Sequence, residues 1–303
     1  MGFYSMYSYL SSYFTVSKWR DLLVLGKARL SFSVVFSAGA GYLIATEAFQ
    51  LTQFLYLIAG GIAITMAANA FNQIIEKDID AKMSRTANRP LPAGRLSVSE
   101  SFMTAAILTL IGAILLIKVN ALTAAFGFIS LIVYVLLYTP LKAITPFSVF
   151  VGAIPGAMPF MLGWVGATGR FGIEPGTLFA VQFLWQFAHF WAIAWILFED
   201  YKKVNYHLLP TDRPNEKASF QIVLYSAASV VTALLPAFGI TGSLHLSLWS
   251  ALLVLLIGLY FVRSALILHK NPSVFHARLV MRTSIIYLTL IQMIYVLDKF
   301  SFQ

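Results

Sequence analysis

The stretch ALTAAFGFISLIVYVLLY, residues 121–138, contains no charged side chain. A helix needs about 20 apolar residues to cross a bilayer, so this run predicts a membrane-spanning helix. Comparable runs recur along the chain, at residues 24–46, 51–76, 102–118, 145–167, 177–198, 219–239, 244–268 and 283–300. Together they predict an all-α, polytopic membrane protein with nine transmembrane helices.

The composition of the 303-residue chain excludes a soluble domain. Apolar residues make up 59% of it and charged residues 11%, whereas a soluble domain is normally about 25% charged. The ten-residue alternation typical of a membrane β-barrel is absent from the sequence. The chain contains no cysteine, which excludes disulfides, thiolate metal sites and a cysteine nucleophile. The phosphate-binding P-loop, the Gly-rich dinucleotide loop and the HExxH motif are also absent.

Basic residues predict the orientation of the chain in the membrane. When the loops alternate between the two sides, 18 of the 21 Lys and Arg residues fall on one side. The positive-inside rule then places the N-terminus in the cytoplasm and the C-terminus outside, in the plasma (inner) membrane. The positive-inside rule therefore accounts for the net charge of +9, and no nucleic-acid partner is expected. Residues 1–21 predict a cytoplasmic or interfacial arm, and residues 22–303 a single membrane domain.

The second predicted span ends in the polar sequence NQIIEKDID. Its residues Asn72, Glu76 and Asp80 follow at i, i+4 and i+8, so they share one face of a continuous helix. Oxygen ligands of this kind suit Mg²⁺, and the nearby Arg85 and Arg89 carry the guanidinium groups that bind phosphate best. An ordinary charged helix end is the alternative. Because polar groups at the membrane edge are usually functional, we favour a site for Mg²⁺ and a diphosphate.

The sixth predicted span carries a second polar stripe. At 100° per residue, Gln182, Gln186, His189 and Asp200 lie within about 40° of one another. A lone histidine in a span is often only a packing residue, but two glutamines and an acid on the same face favour a cavity wall. Asp200 would then offer a second metal position opposite Asp80.

Other polar and helix-breaking residues have two interpretations each. Lys142 follows the fourth span directly after the sequence YTPL, and Lys27 and Arg29 open the first span. Each of these basic residues could bind phosphate or simply anchor the topology. The fifth span contains Pro155 and Pro159, which are tolerated where neighbouring helices or a cavity satisfy the freed carbonyl groups.

The motifs taken together resemble the UbiA-like intramembrane prenyltransferases. The first acidic motif of that family runs Asn-Asp-x-x-Asp-x-x-x-Asp, and here it is Asn72-Gln73-x-x-Glu76-x-x-x-Asp80. The branch that farnesylates haem is the most similar. The similarity to it lies in RTANRPL at 85–91, YTPLK at 138–142, the Pro/Gly-rich fifth span, WQFAHF at 185–190 and Asp200-Tyr201. It extends over roughly residues 20–300.

The resemblance implies nine helices around a central cavity, and an enzyme of haem A biosynthesis. Its reaction would transfer farnesyl from farnesyl diphosphate to a vinyl group of haem B, forming haem O, with Mg²⁺ as cofactor. The implied catalytic and metal-binding residues are Asn72, Glu76, Asp80 and Asp200. The implied substrate-binding residues are Arg85, Arg89, Lys142, Lys27, Arg29, Gln186, His189 and Tyr138. Haem A synthase and cytochrome oxidase assembly proteins are implied protein partners.

The sequence departs from the family pattern at several positions, which leaves rival functions open. The departures are Ala28, Ala143, Phe160, Ala188 and Asn205, where the family usually has Pro, Arg, Pro, Pro and Gly. One rival is a prenyltransferase acting on an aromatic quinone precursor, and another is an inactive paralogue serving in assembly. A transporter would predict inverted repeats and a mid-membrane site, whereas the acids here gather at one membrane face.

Overall fold

The computed structural model describes residues 16–302, and the regular structure in this range is entirely helical. In chain order the helices are α1 (Val16–Leu25), α2 (Ala28–Ala45), α3 (Leu51–Ile75), α4 (Lys77–Asp80), α5 (Val98–Val119), α6 (Ala121–Leu141), α7 (Ser148–Thr168), α8 (Ile173–Ile196), α9 (Phe198–Lys203), α10 (Glu216–Phe238), α11 (Leu248–Lys270) and α12 (Val274–Phe302). Within residues 16–302, nine of them are long and apolar enough to cross a membrane. The predicted all-α fold with nine spans is therefore confirmed, and the chain is a multi-pass membrane protein.

The boundaries of the spans differ from the predicted ones by a few residues at most ends. The largest difference is at α12, which begins at Val274 and not at 283. The break at Asn271-Pro272 is short, so the helix restarts at once and its first turns lie before the purely apolar run. Most of the predicted arm over residues 1–21 lies outside the described residues. Its last part, from Val16, belongs to helix α1.

The nine spans form a closed ring. Helix α3 packs against α2 and α5, and α6 packs against α5 and α7. Helix α8 then contacts α7, α10 and α12, while α11 packs between α10 and α12. Contacts between α12 and α2 complete the ring, and α2 also packs against α7 across it. The outer faces expose large apolar side chains such as Phe102, Leu110 and Ile117, as expected of a surface in contact with lipid.

Candidate active site

The three residues of the first acidic motif are all buried at one end of the ring. Asn72 and Asp80 are each 1% exposed, and Glu76 is 4% exposed. The prediction of one continuous helix through the motif is wrong. Helix α3 ends at Ile75, and Glu76 leaves the helical conformation with φ −91° and ψ 7°. Helix α4 then carries Asp80. The chain therefore bends within the motif, and interactions on both sides of the bend hold the carboxylates inward.

Glu76 is held by a cation and a phenol. It forms an ion pair with Lys142 and accepts a hydrogen bond of 2.7 Å from the Tyr206 hydroxyl. Burial alone would raise the pKa of Glu76, but the Lys142 ammonium and these hydrogen bonds bring the pKa below its usual value. Burial and the neighbouring Glu76 raise the pKa of Tyr206, so its hydroxyl remains a donor. The Lys142 ammonium also lies over the ring of Tyr138, 4.9 Å from its centre.

Asp80 has one satisfied and one unsatisfied oxygen. Its Oδ2 pairs with Arg89 Nη1 at 2.6 Å, whereas its buried Oδ1 has no hydrogen-bond partner. A buried carboxylate oxygen without a partner is costly. It becomes a favourable ligand when a cation binds, so this oxygen fits a divalent metal ion.

Asn72 joins the same cluster from the last turns of α3. Its Nδ2 donates to Thr139 Oγ1 at 3.1 Å, and its Oδ1 accepts from Lys27 Nζ at 3.4 Å. Lys27 has a left-handed backbone, with φ 47°. Burial, together with the charges of Arg89 and Lys142, lowers the pKa of Lys27 to about 7. Three basic side chains face only two carboxylates, so the cluster favours the arrival of an anion.

The cluster suits magnesium bound together with a diphosphate. Among residues 16–302, no three His, Asp or Glu side chains lie close enough to hold a metal by themselves. Mg²⁺ does not need such a cage, because it usually takes one or two carboxylates and fills its remaining positions with waters and substrate phosphates. Glu76, Asp80 and the Asn72 amide match that requirement.

Asp200 does not continue the stripe predicted for the sixth span. Helix α8 ends at Ile196, and Leu197 leaves the helix with φ −101° and ψ 15°, so Asp200 lies on the separate helix α9. It pairs with Lys203 at 2.9 Å and accepts from Ser84 at 3.4 Å. The hydrogen bond from Lys203 lowers the pKa of Asp200. Its role as a second metal ligand stays a prediction.

The remaining predicted phosphate ligands, Arg85 and Arg29, are both exposed. Arg85 lies near Asp200 and Tyr201, and its charge helps to lower the pKa of Asp200. Arg29 is exposed in the first turn of α2. Within the described part of the chain, no hydrogen bond or ion pair joins Arg29 to the carboxylates. The structure thus gathers Lys27, Arg89 and Lys142 but leaves Arg29 apart.

A largely apolar cavity of about 380 Å³ lies inside the ring. Its polar lining includes Asn69, Gln182, Gln186 and His189, and its aromatic lining includes Tyr134, Tyr138, Trp185 and Phe190. A smaller cavity of about 120 Å³ shares Tyr138 and Phe190 and extends to Tyr201 and Leu208. The predicted cavity is therefore present. Its polar stripe on α8 runs from Gln182 to His189.

Helix α7, which contains Pro155 and Pro159, forms part of the cavity wall. Pro159 cannot donate to the carbonyl of Pro155, and the Ser130 hydroxyl approaches that carbonyl at 3.4 Å. Gln186 donates to the Ala153 carbonyl at 3.1 Å. Its Oε1 occupies the space that a Cβ of Gly156 would need. A small residue at 156 is what lets α8 place Gln186 against the cavity.

His189 is fixed between α8 and α12. Its Nδ1 lies 2.8 Å from Ser284 Oγ, and its ring stacks on Trp185 with centres 4.7 Å apart. The Trp185 indole donates to the Ser284 carbonyl at 2.6 Å. Sequence reasoning missed Ser284 and Tyr206, because neither belongs to a charged motif or lies on a predicted stripe.

One departure from the family pattern has a structural explanation. Asn205 adopts φ 56°, a left-handed conformation in which glycine is the default and asparagine is among the better tolerated alternatives. Asparagine can therefore replace the usual glycine at the end of the α9 turn without changing the backbone.

Comparison with known proteins finds a matching family and similar relatives. The model of the UbiA prenyltransferase family matches residues 34–286. A protoheme IX farnesyltransferase from Flavobacterium psychrophilum is 50% identical over 287 residues, covering 94% of this chain and 96% of the relative. Proteins of the same name from Christiangramia forsetii and Cytophaga hutchinsonii are 49% and 43% identical, covering 92% and 93% of this chain and 93% and 99% of theirs.

Solved structures share the fold at low sequence identity. One, from work on digeranylgeranylglyceryl phosphate synthase in membranes, has a TM-score of 0.78 and 19% identity, covering 94% of this chain and 99% of its own. A UbiA homologue from Archaeoglobus fulgidus bound to GPP and Mg²⁺ has a TM-score of 0.68 and 15% identity, covering 93% and 98%. With the family model matched over most of the spans, this chain belongs to the UbiA prenyltransferase family.

Proposed function

We propose that this protein is a protohaem IX farnesyltransferase, which transfers farnesyl from farnesyl diphosphate to a vinyl group of haem B and forms haem O. The observation that carries the proposal is the junction of two unlike environments. In the buried cluster, Lys142 pairs with Glu76 and lies over the ring of Tyr138, and Tyr138 also lines the aromatic cavity. Relatives up to 50% identical bear this enzyme's name.

The charged cluster would bind the diphosphate. Lys27, Arg89 and Lys142 converge there, and each cation can exchange its carboxylate or amide partner for a phosphate oxygen. Asn72, Glu76 and Asp80 would hold Mg²⁺, with Asp200 as the candidate for a second position. When bound, the ion neutralises charge on the leaving diphosphate. A related protein of this fold has been solved with GPP and Mg²⁺, which supports binding of a prenyl diphosphate together with Mg²⁺ in this fold.

The cavity would hold the farnesyl chain and the porphyrin. When the bond between farnesyl and the diphosphate oxygen breaks, the allylic cation meets aromatic faces such as those of Tyr134 and Tyr138, which favour positive charge. The terminal vinyl carbon then forms the new carbon–carbon bond. Water adds to the other vinyl carbon and loses a proton, which gives the hydroxyethylfarnesyl group. Apolar walls keep water scarce until that last step.

Product analysis tests the proposed reaction. Purified protein incubated with haem B, labelled farnesyl diphosphate and Mg²⁺ should yield a haem whose mass increases by one farnesyl group and one hydroxyl group. Reactions without Mg²⁺ or without haem serve as controls. If the diphosphate is consumed only when an aromatic acid or naphthoate is supplied, the acceptor is a quinone precursor instead. If no acceptor promotes release of diphosphate, the chain is an inactive paralogue, and Ala143→Arg is the first reversion to make.

The charge distribution also predicts where the site faces. We propose that the protein lies in the plasma membrane with its N-terminus and the acidic cluster on the cytoplasmic side, since 18 of 21 basic residues gather there. Reporter fusions in the loops at 85–95, 202–217 and 270–280 should be cytoplasmic, and a fusion at Arg170 should be outside. A loop at 85–95 found outside would refute the orientation. Haem A synthase and cytochrome oxidase assembly proteins stay predicted partners.

A further inference from the structure

Ser284 makes two short polar contacts that determine where the proton of His189 lies. Its Oγ lies 2.7 Å from the Met281 carbonyl oxygen and 2.8 Å from His189 Nδ1. Ser284 itself is 0% exposed, so water does not supply a third partner. Contacts of this length between electronegative atoms are hydrogen bonds, and each requires one proton between the atoms.

The two contacts need two protons, and the Ser284 hydroxyl has only one. The Met281 carbonyl can only accept, so the hydroxyl proton lies on that contact. The proton of the second contact must then come from Nδ1–H of His189. A neutral imidazole carries a single N–H, so Nε2 is left with a free lone pair.

The rest of the pocket holds the ring in one orientation. The Trp185 indole stacks on the imidazole at an interplanar angle of 16°, and its N–H donates to the Ser284 carbonyl. His189 is only partly buried and lines the large cavity. Within residues 16–302 no hydrogen bond uses its Nε2. The ring edge opposite Ser284 is therefore the one available to a ligand in the cavity.

We propose that Ser284 is a positioning residue that fixes the Nδ1–H tautomer of His189, and that the bare Nε2 ligates the iron of the haem acceptor. The inference rests on the proposed function. A haem propionate is the other group that an imidazole could meet, but an ionised carboxylate only accepts hydrogen bonds, and this Nε2 has none to donate. Iron takes the lone pair of a neutral imidazole. A hydrogen bond at Nδ1–H is the usual outer-shell partner of such a ligand.

The test is spectroscopic and does not depend on turnover. Ferrous haem B bound to the wild-type protein should show an iron–histidine stretching band in resonance Raman spectra, and His189→Ala should abolish the band. Ser284→Val should shift the band and weaken haem binding about 10-fold, as loss of an outer-shell partner does. Threonine has nearly the same shape as valine but keeps the hydroxyl, so Ser284→Thr should preserve both the band position and the haem affinity.

A buried serine elsewhere provides the matched control. Ser226 is also 0% exposed and donates to a carbonyl of its own helix, that of Ile222, so Ser226→Ala should change neither the band nor the affinity. A Ser284→Val spectrum identical to the wild type would overturn the positioning role. A wild-type complex that converts haem B without an iron–histidine band would overturn the ligand assignment and leave the proposed function standing. Failure of the wild type to bind or convert haem B would remove both.

Discussion

Asp80→Asn is expected to lower farnesyl transfer at least ~10–100-fold, by analogy with losses seen around metal sites, while the protein still folds and inserts. The substitution keeps the shape of the side chain but removes its charge. It turns the unpaired Oδ1 into a poorer metal ligand and removes the negative charge that pairs with Arg89 at 2.6 Å. The measurement is initial rate at saturating farnesyl diphosphate as a function of Mg²⁺ concentration. The variant should need more Mg²⁺ as well as turning over more slowly.

The neighbouring acid provides a control within the same short helix. Asp78 lies two residues away in α4 and is exposed, so Asp78→Asn should keep a near-normal rate and Mg²⁺ dependence. If Asp80→Asn keeps a near-normal rate at every Mg²⁺ concentration, Asp80 is a structural partner of Arg89 and not a metal ligand. An equal loss of rate in both variants would show that the reaction depends on the total negative charge of α4 and not on Asp80 in particular.

The spans could be predicted from the sequence because hydrophobicity is a local property. Once a run such as 121–138 lies in lipid, its backbone N–H and C=O groups must form hydrogen bonds with one another. A helix is the only structure that achieves this within one segment. The inward face of α8 was also predictable as far as His189, since regular helical geometry relates residues that follow one another closely.

The bends beside the charged cluster could not be predicted in this way. Extrapolating 100° per residue past Ile75 and Ile196 assumed continuous helices, but the chain leaves the helix at Glu76 and Leu197. The buried ion pair between Glu76 and Lys142 joins residues from different helices. Whether a helix continues at such a point depends on these tertiary partners, and helical periodicity contains no information about them.

Residues that act through a partner were missed for the same reason. Tyr206 meets Glu76 across 130 positions in the chain, and Ser284 meets His189 across 95. An isolated tyrosine or serine in an apolar sequence has no distinguishing pattern. Its role appears only when folding places it beside a charged or imidazole group. Motif residues were therefore predictable, whereas the residues that orient them were not.

Gly41→Ala is expected to destabilise the protein by about 1–3 kcal/mol, as overpacking of a close contact does. Helices α2 and α7 meet there backbone to backbone. A Cβ on Gly41 would collide with the Phe160 carbonyl oxygen and lie 3.2 Å from Gly163 Cα, and one on Gly163 would lie 2.8 Å from Gly41 C. The obstructing atoms are backbone and cannot rotate away, so the helices must separate. Small residues at such crossings are how membrane helices approach closely.

A glycine in open space separates this crowding from any general effect of replacing glycine. Gly176, near the start of α8, has no atom within 4 Å of a Cβ placed on it, so Gly176→Ala should melt at or slightly above the wild-type temperature because alanine favours helix. Thermal unfolding in detergent compares the variants. If Gly41→Ala unfolds at the wild-type temperature, the inferred backbone contact between α2 and α7 is wrong. Because α2 follows directly after Lys27 and α7 lines the cavity, separating these helices should also weaken diphosphate binding, which Gly176→Ala should leave unchanged.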